Sequence, residues 1–494
     1  MNQFYESTRN KKDVITPCNA ILQGLSEDGG LFVLRDLKNL DLDVSSLVNK
    51  SYFEIAESVL RLFLSDFSDE EIKACVHNAY ANKFSTEEIT PLIELNDGYI
   101  LELFNGPTSA FKDVGLSMLP QLTKTALKKS DIKEDILILT ATSGDTGKAA
   151  LEGFKDVDRC KIIVFYPNHG VSTVQEAQMK TQEGKNVCVC AMEGNFDDAQ
   201  SGIKEIFVDA AFKKQLAEKN IKLSSANSIN IGRLVPQMVY YFYAYVKLVE
   251  KNKIKVGDKV NFVVPTGNFG NILAGYYAKQ IGLPVNKLVC ASNDNNVLYD
   301  FINTGVYDRQ RDFLKTISPS MDILISSNLE RLLYYMSGED NAYIKSIMDD
   351  LSTKGKYEVT PEILKQIQEA FIAGYCTNEE TKKTIREVYE KDHYLLDPHT
   401  AVAYKVFKEN KDTICPSVIL STASPYKFTK SVYDSLEETL DVDEFTLMKK
   451  LNEMSGVKVP ENLKDLDQKA ILHENLIEKS EMRDFVLSKI GELK

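Results

Sequence analysis

Three times in this chain an apolar run passes through a loop of glycine and small hydroxyl residues into a helical stretch. Tyr99–Phe104 leads into Asn105–Asp113 (NGPTSAFKD). Asp135–Leu139 (DILIL) leads into Thr140–Gly147 (TATSGDTG), and Val260–Pro265 (VNFVVP) into Thr266–Asn271 (TGNFGN). Strand, tight loop and helix in repeated order predict an α/β fold, whose ligands sit at the carboxyl ends of its strands.

Each loop suggests a chemistry. Gly106-Pro107 and the hydroxyls of Thr108 and Ser109 suit entry into a helix, which places Lys112 within about one turn of its start. Helix-start N–H groups and partial burial both favour a neutral amine, and a neutral amine attacks aldehydes. An ordinary surface lysine would read the same way. Gly267 and Gly270 let backbone N–H groups converge on a phosphate, although a glycine-rich turn is often only a turn. The Walker pattern and G-x-G-x-x-G are both absent there, so neither ATP nor NAD is favoured. Ser143, Gly144, Asp145 and Thr146 offer hydroxyl and N–H donors for a carboxylate; the same residues also cap helices.

An aldehyde-reactive lysine, a phosphate cradle and a carboxylate loop together describe a pyridoxal phosphate enzyme acting on an amino acid. At this point the sequence resembles the threonine synthase family, through GPTSAFKD, TSGDTG and GNFGN in that order and spacing. Ser7-Thr8-Arg9, Gly24–Phe32 (GLSEDGGLF), Ser228–Arg233 (SINIGR), Ile317–Leu333 and Ser421–Phe428 (STASPYKF) extend the likeness over nearly the whole chain. The longer form of the enzyme is the closer match. It implies a pyridoxal-phosphate fold type II two-domain core with an N-terminal helical domain and a helical insertion.

The resemblance also implies the reaction, in which O-phospho-L-homoserine and water give L-threonine and phosphate. Lys112 would hold the cofactor as a Schiff base and serve as the acid/base, with Phe111 packing near the ring. Gly267, Asn268, Phe269, Gly270 and Asn271 would take the cofactor phosphate, and Thr422 the ring nitrogen. Thr142, Ser143, Asp145 and Thr146 would hold the substrate α-carboxylate. Arg233 and Lys427, with Asn230, are the candidates for the substrate phosphate. Four positions depart from the family: Ile231 and Gly232 replace Trp and Ala, Ser424 replaces His, and Tyr426 replaces Ala. Two enzyme alternatives stay open, a lyase making 2-oxobutyrate from the same substrate and a serine or threonine dehydratase. A non-catalytic relative is a third; the intact Lys112, GNFGN and TSGDTG speak against it.

Composition bounds the remaining choices. The 494 residues suggest about three domains, and 43% hydrophobic with 27% charged residues is an ordinary globular balance. A net charge of −13 disfavours nucleic acid and anionic membranes as partners. The eight cysteines form no C-x-x-C pair and read as reduced thiols; the five histidines lack metal-ligand spacing, so no metal is expected. The start has no signal-peptide core, and no apolar run reaches membrane length, which points to a cytoplasmic protein. The resemblance implies a monomer.

Along the chain, residues 1–95 read as a helical domain, with helices over Tyr52–Phe67 and Glu70–Ala81 and a salt-bridged or solvated Arg9. Residues 96–134 and 223–435 read as the large cofactor-binding domain, within which 294–391 is a helical insertion. Residues 135–222 read as a small substrate domain with strands at Ile136–Leu139, Lys161–Tyr166 and Asn186–Met192. Residues 436–494 read as a helical extension.

Overall fold

The computed structural model describes residues 3–494, with the side chain of Asp197 left aside. Two sheets dominate it. The larger runs in the order Phe371–Tyr375, Val285–Ser292, Val260–Pro265, Ser417–Ser421, Tyr99–Glu102, Leu92–Glu94. All its pairings are parallel except the last, the hairpin around Asp97-Gly98. Val260–Pro265 is buried throughout, as its unbroken apolar run requires of a central parallel strand. The smaller sheet is wholly parallel, in the order Asn475–Ile477, Val187–Met192, Cys160–Pro167, Asp135–Ala141, Ile221–Ser224.

The helix Ile231–Glu250 is largely apolar and buried over nearly its whole length, the pattern of a core helix. It packs against the helices Tyr52–Phe63, Lys112–Lys129 and Gly270–Gln280. Tyr52–Phe63 and Asp69–Tyr80 each start on a capping box, Ser51 with Glu54 and Ser68 with Glu71.

Three segments differ from the sequence expectation. The N-terminal region carries, besides its helices, an antiparallel sheet of Tyr5–Ser7, Asn10–Ile15 and Phe32–Leu34. The expected helical insertion supplies Phe371–Tyr375, the edge strand of the large sheet. The expected helical tail supplies Asn475–Ile477, the edge strand of the small sheet, and the helix Met482–Lys489, whose Met482 and Val486 join that sheet's core. No helix among the described residues is long and apolar enough to cross a membrane.

Candidate active site

The lysine loop is shaped from behind by Asp113. Its carboxylate accepts from Thr108 N (2.9 Å), Thr108 Oγ1 (2.5 Å) and Ala110 N (3.4 Å), folding the loop back on the first turn. The helix therefore begins at Lys112 itself, and Ser109 sits in the left-handed region at φ 61°. Burial pushes the Asp113 carboxyl up to about 6 against these hydrogen bonds. Phe111 N donates to Thr422 O (2.8 Å), tying the loop to the end of Ser417–Ser421.

Lys112 Nζ lies 5.2 Å from the centre of the Phe111 ring, 3.5 Å from Asp145 Oδ2 and 3.4 Å from Ser320 Oγ. Burial lowers the pKa of this amine; Asp145 pushes it back up, Arg233 and Lys427 push it down, and the net shift is downward. The neutral form expected from sequence is thus favoured by desolvation.

The phosphate loop is held so that its carbonyls point away from the cleft. Ser326 Oγ donates to Gly267 O (2.7 Å), and Asn328 N and Nδ2 donate to Asn268 O (3.1 and 3.0 Å). Phe269, at φ 62°, is a non-glycine residue in the left-handed region, a strain of about 1–3 kcal/mol that such cradles carry. A Cβ on Gly267 would come within 2.6 Å of Ser320 O. Asn271 Oδ1 accepts from Tyr240 and Tyr241 (2.6 and 3.0 Å), while its buried Nδ2 has no partner among the described residues. A donor fixed from behind and left open in front suits an anion.

The TSGDTG loop resolves into two jobs. Thr142 Oγ1 accepts from Gly144 N (3.0 Å) and Gly147 N (2.8 Å), so its oxygen shapes the turn in which Gly144 takes φ 125°. Ser143 and Thr146 line the cleft at the start of the helix Asp145–Phe154. Asp145 itself is an acceptor: Lys427 Nζ lies at 2.7 Å, Lys112 Nζ at 3.5 Å, and the neutral Gln175 amide donates to it at 2.8 Å. Burial pushes its carboxyl up, and Lys427 and Lys112 more than reverse this, holding it well below the usual carboxylate range.

Of the three expected phosphate ligands, the structure brings one into the cleft. Arg233 lines it, donates from one end to Ala226 O (2.9 Å), and leaves its buried Nε without a partner among the described residues. Burial lowers the Arg233 pKa to about 10. Asn230 is turned away: its oxygen caps Gly232 N (2.9 Å) and its amide donates to Ile21 O and Ser225 O (both 3.0 Å). Lys427 is fully buried behind Asp145 and donates to Thr108 O (3.0 Å). These bonds fix Asn230 and Lys427 in place, and neither lines the cleft. Phe111, Lys112, Gly267, Asn268, Phe269, Gly270, Asn271 and Thr422 all line one cleft. Ser424 and Tyr426, where the chain departs from its family, do not.

The cleft also holds residues that sequence reasoning passed over. His399 lines it, with Nδ1 2.8 Å from Asp397 Oδ1 and Nε2 accepting from Ser320 N (3.1 Å). Asp397 and His399, two residues apart at a helix start, read as caps; only the fold shows the ring facing Ser320. Asn227 and Ser228 join Arg233 on the far wall. Arg9, by contrast, pairs with Glu330 in a bidentate bridge outside the cleft.

An aldehyde-bearing phosphate fits these residues: a desolvated amine, a braced N–H loop with the open Asn271 amide, and the Thr422 hydroxyl at a strand end. No group of metal ligands occurs among the described residues. Family models match over residues 4–80 (Threonine synthase N terminus), 84–423 (Pyridoxal-phosphate dependent enzyme) and 400–477 (Threonine synthase, C-terminal). Threonine synthase-like 1 of Homo sapiens is 38% identical over 94% of this chain, which spans 62% of that relative's length. Threonine synthase of Schizosaccharomyces pombe is 38% identical, over 88% of this chain and 90% of its own. The crystal structure of PLP-bound threonine synthase from Brucella melitensis superposes with TM-score 0.87 at 36% identity, covering all of both chains.

Proposed function

The chain belongs to the threonine synthase family of pyridoxal-phosphate dependent enzymes, and from that premise we propose that it converts O-phospho-L-homoserine and water to L-threonine and phosphate. Lys112 would hold the cofactor, the Gly267–Asn271 loop its phosphate, Thr422 its ring nitrogen, and Phe111 would pack beside it. Once bound, pyridoxal phosphate supplies the electron sink for removing protons next to the substrate amine. The Ser143 and Thr146 hydroxyls and the N–H groups at their helix start hold the substrate α-carboxylate. Lys112 Nζ takes and returns the proton at Cα, its desolvation favouring the base form between steps. Asp145 balances Lys427 and Lys112, so the lysine is held without a free ammonium beside it. Closure of the small domain over the cleft would keep water out until it is needed.

The observation that carries this reading is Arg233. A buried guanidinium with an open Nε and no carboxylate partner among the described residues calls for an anion, and it faces the same cleft as Lys112 and the Gly267–Asn271 loop. Two anion positions around one reactive amine match a phosphorylated amino acid on a phosphorylated cofactor. The test pairs absorption spectra of wild type and Lys112→Ala with product analysis on O-phosphohomoserine. A visible cofactor band lost in Lys112→Ala, equal yields of threonine and phosphate from wild type, and a kcat at least ~10²-fold lower in the variant are expected. A band with 2-oxobutyrate as product would move the activity to the lyase, and no band would remove Lys112 as the anchor.

A further inference from the structure

The segment Thr316–Asp322 crosses the cleft between the phosphate loop and the lysine, and it is pinned along its length. Asp322 Oδ1 accepts from Thr316 Oγ1 (2.7 Å), Asn293 Nδ2 (2.8 Å) and Asn295 Nδ2 (3.0 Å), and Oδ2 accepts from Thr316 N (3.0 Å). Ile317 N donates to Asn378 Oδ1 (3.1 Å). At its middle, Ser320 N donates to His399 Nε2, and Ser320 O abuts Gly267 so closely that only glycine fits. The remaining atom of that residue, Ser320 Oγ, accepts from Lys112 Nζ (3.4 Å) and donates to Asp145 Oδ2 (3.3 Å).

We propose that Ser320 is a positioning residue for the Lys112 amine, held in register by the buried Asp397–His399 pair. The inference rests on the functional reading above. A carboxylate only accepts, so the ring hydrogen is assigned to His399 Nδ1, which leaves Nε2 as the acceptor that the Ser320 N–H requires. The Asp397 carboxylate is itself fixed, accepting from His399 N (2.9 Å), Thr400 N (3.3 Å) and the Thr400 hydroxyl. Thr400 Oγ1 in turn accepts from Thr422 N (3.3 Å). One buried carboxylate thereby sets both the hydroxyl beside the reactive amine and the backbone of the strand end opposite. The charged groups acting on Lys112 are Asp145 from the helix Asp145–Phe154, Arg233 from the central helix and Lys427 from the turn Pro425–Phe428. Among its near partners Ser320 is the neutral one, able to follow the amine through either protonation state by turning its hydroxyl.

The test uses the holoenzyme of wild type, Ser320→Ala, His399→Leu and His399→Gln, following kcat, KM, melting temperature and the pH midpoint of the visible cofactor band. Ser320→Ala and His399→Leu are expected to lower kcat about tenfold with KM held within about threefold. Losing an acceptor from the lysine nitrogen moves the band midpoint down by about half a pH unit or more. In His399→Gln the amide oxygen accepts from Ser320 N, and kcat and midpoint return towards wild type. An unchanged kcat and midpoint in Ser320→Ala would overturn the proposal. So would His399→Gln as impaired as His399→Leu with the same loss of melting temperature. Should wild type make no threonine, the functional reading fails, while the band midpoint still decides the role of Ser320.

Discussion

Asp145 stands between two buried lysine amines, and Lys427 has no solvent to turn to. Removing one member of such an arrangement leaves an uncompensated charge, so Asp145→Asn should lower stability by ~3–5 kcal/mol, read from denaturant melts. The sign with pH follows from the depressed carboxyl. Its contribution is full above the unfolded carboxyl value of about 4 and is lost as pH falls through the folded value. The gap between wild type and variant should therefore be constant near neutrality and shrink below about pH 4. Equal stability at pH 7 would mean that Lys427 finds other compensation. The sequence marks Asp145 as part of TSGDTG and Lys427 as a candidate phosphate ligand but does not show that they pair, because a pair between such distant residues exists only once the fold is made. For the same reason Asn230 reads as a ligand while its bonds to Ile21 and Ser225 stay hidden. Arg233 stands out in the sequence as a cation beside a small-residue turn, and the fold places it on the cleft wall.

At the level of elements, long apolar runs were legible and short or polar ones were not. Val260–Pro265 comes out residue for residue, the strands expected at 136–139 and 161–166 lengthen by two or three residues, and the one expected at 186–192 loses its first residue. Phe371–Tyr375 and Asn475–Ile477 lie at sheet edges with no run of buried residues, and Asn10–Ile15 is charged and mostly exposed. None carries a period that burial would impose. The lysine helix starts earlier than its apolar pattern, at Lys112, where the Asp113 carboxylate in its first turn holds the preceding loop through Thr108 and Ala110. The phosphate loop gives the sharpest test here. In Gly267→Ala the new Cβ meets Ser320 O, on a backbone that His399 and Asp322 hold in place. Cofactor affinity, titrated by the visible band, should fall at least about tenfold with the circular dichroism of the fold retained. Undiminished affinity would mean that the Ser320 strap yields.

For the whole molecule, residues 475–493 complete a sheet begun far earlier in the chain. Met482, Val486, Ile490 and Leu493 are buried in the core of the small sheet, and side chains of this size contribute about 1.5–3 kcal/mol each. A chain ending at Leu472 should melt several degrees lower and bind an apolar dye that the full chain excludes. Unchanged melting would show that the small sheet holds without its edge strand.

That pairing sets a timetable for synthesis. Residues 190–192 leave the ribosome long before residues 475–477, their neighbours in the finished sheet. Until the late strand arrives, the edge at Val187–Met192 is bare, and the loop at Ser143–Thr146 stands on an unfinished scaffold. The larger sheet has its last strand, Ser417–Ser421, in the chain before the smaller sheet's last strand, Asn475–Ile477, so the scaffold under the Ser143–Thr146 loop is the later of the two to be completed during synthesis.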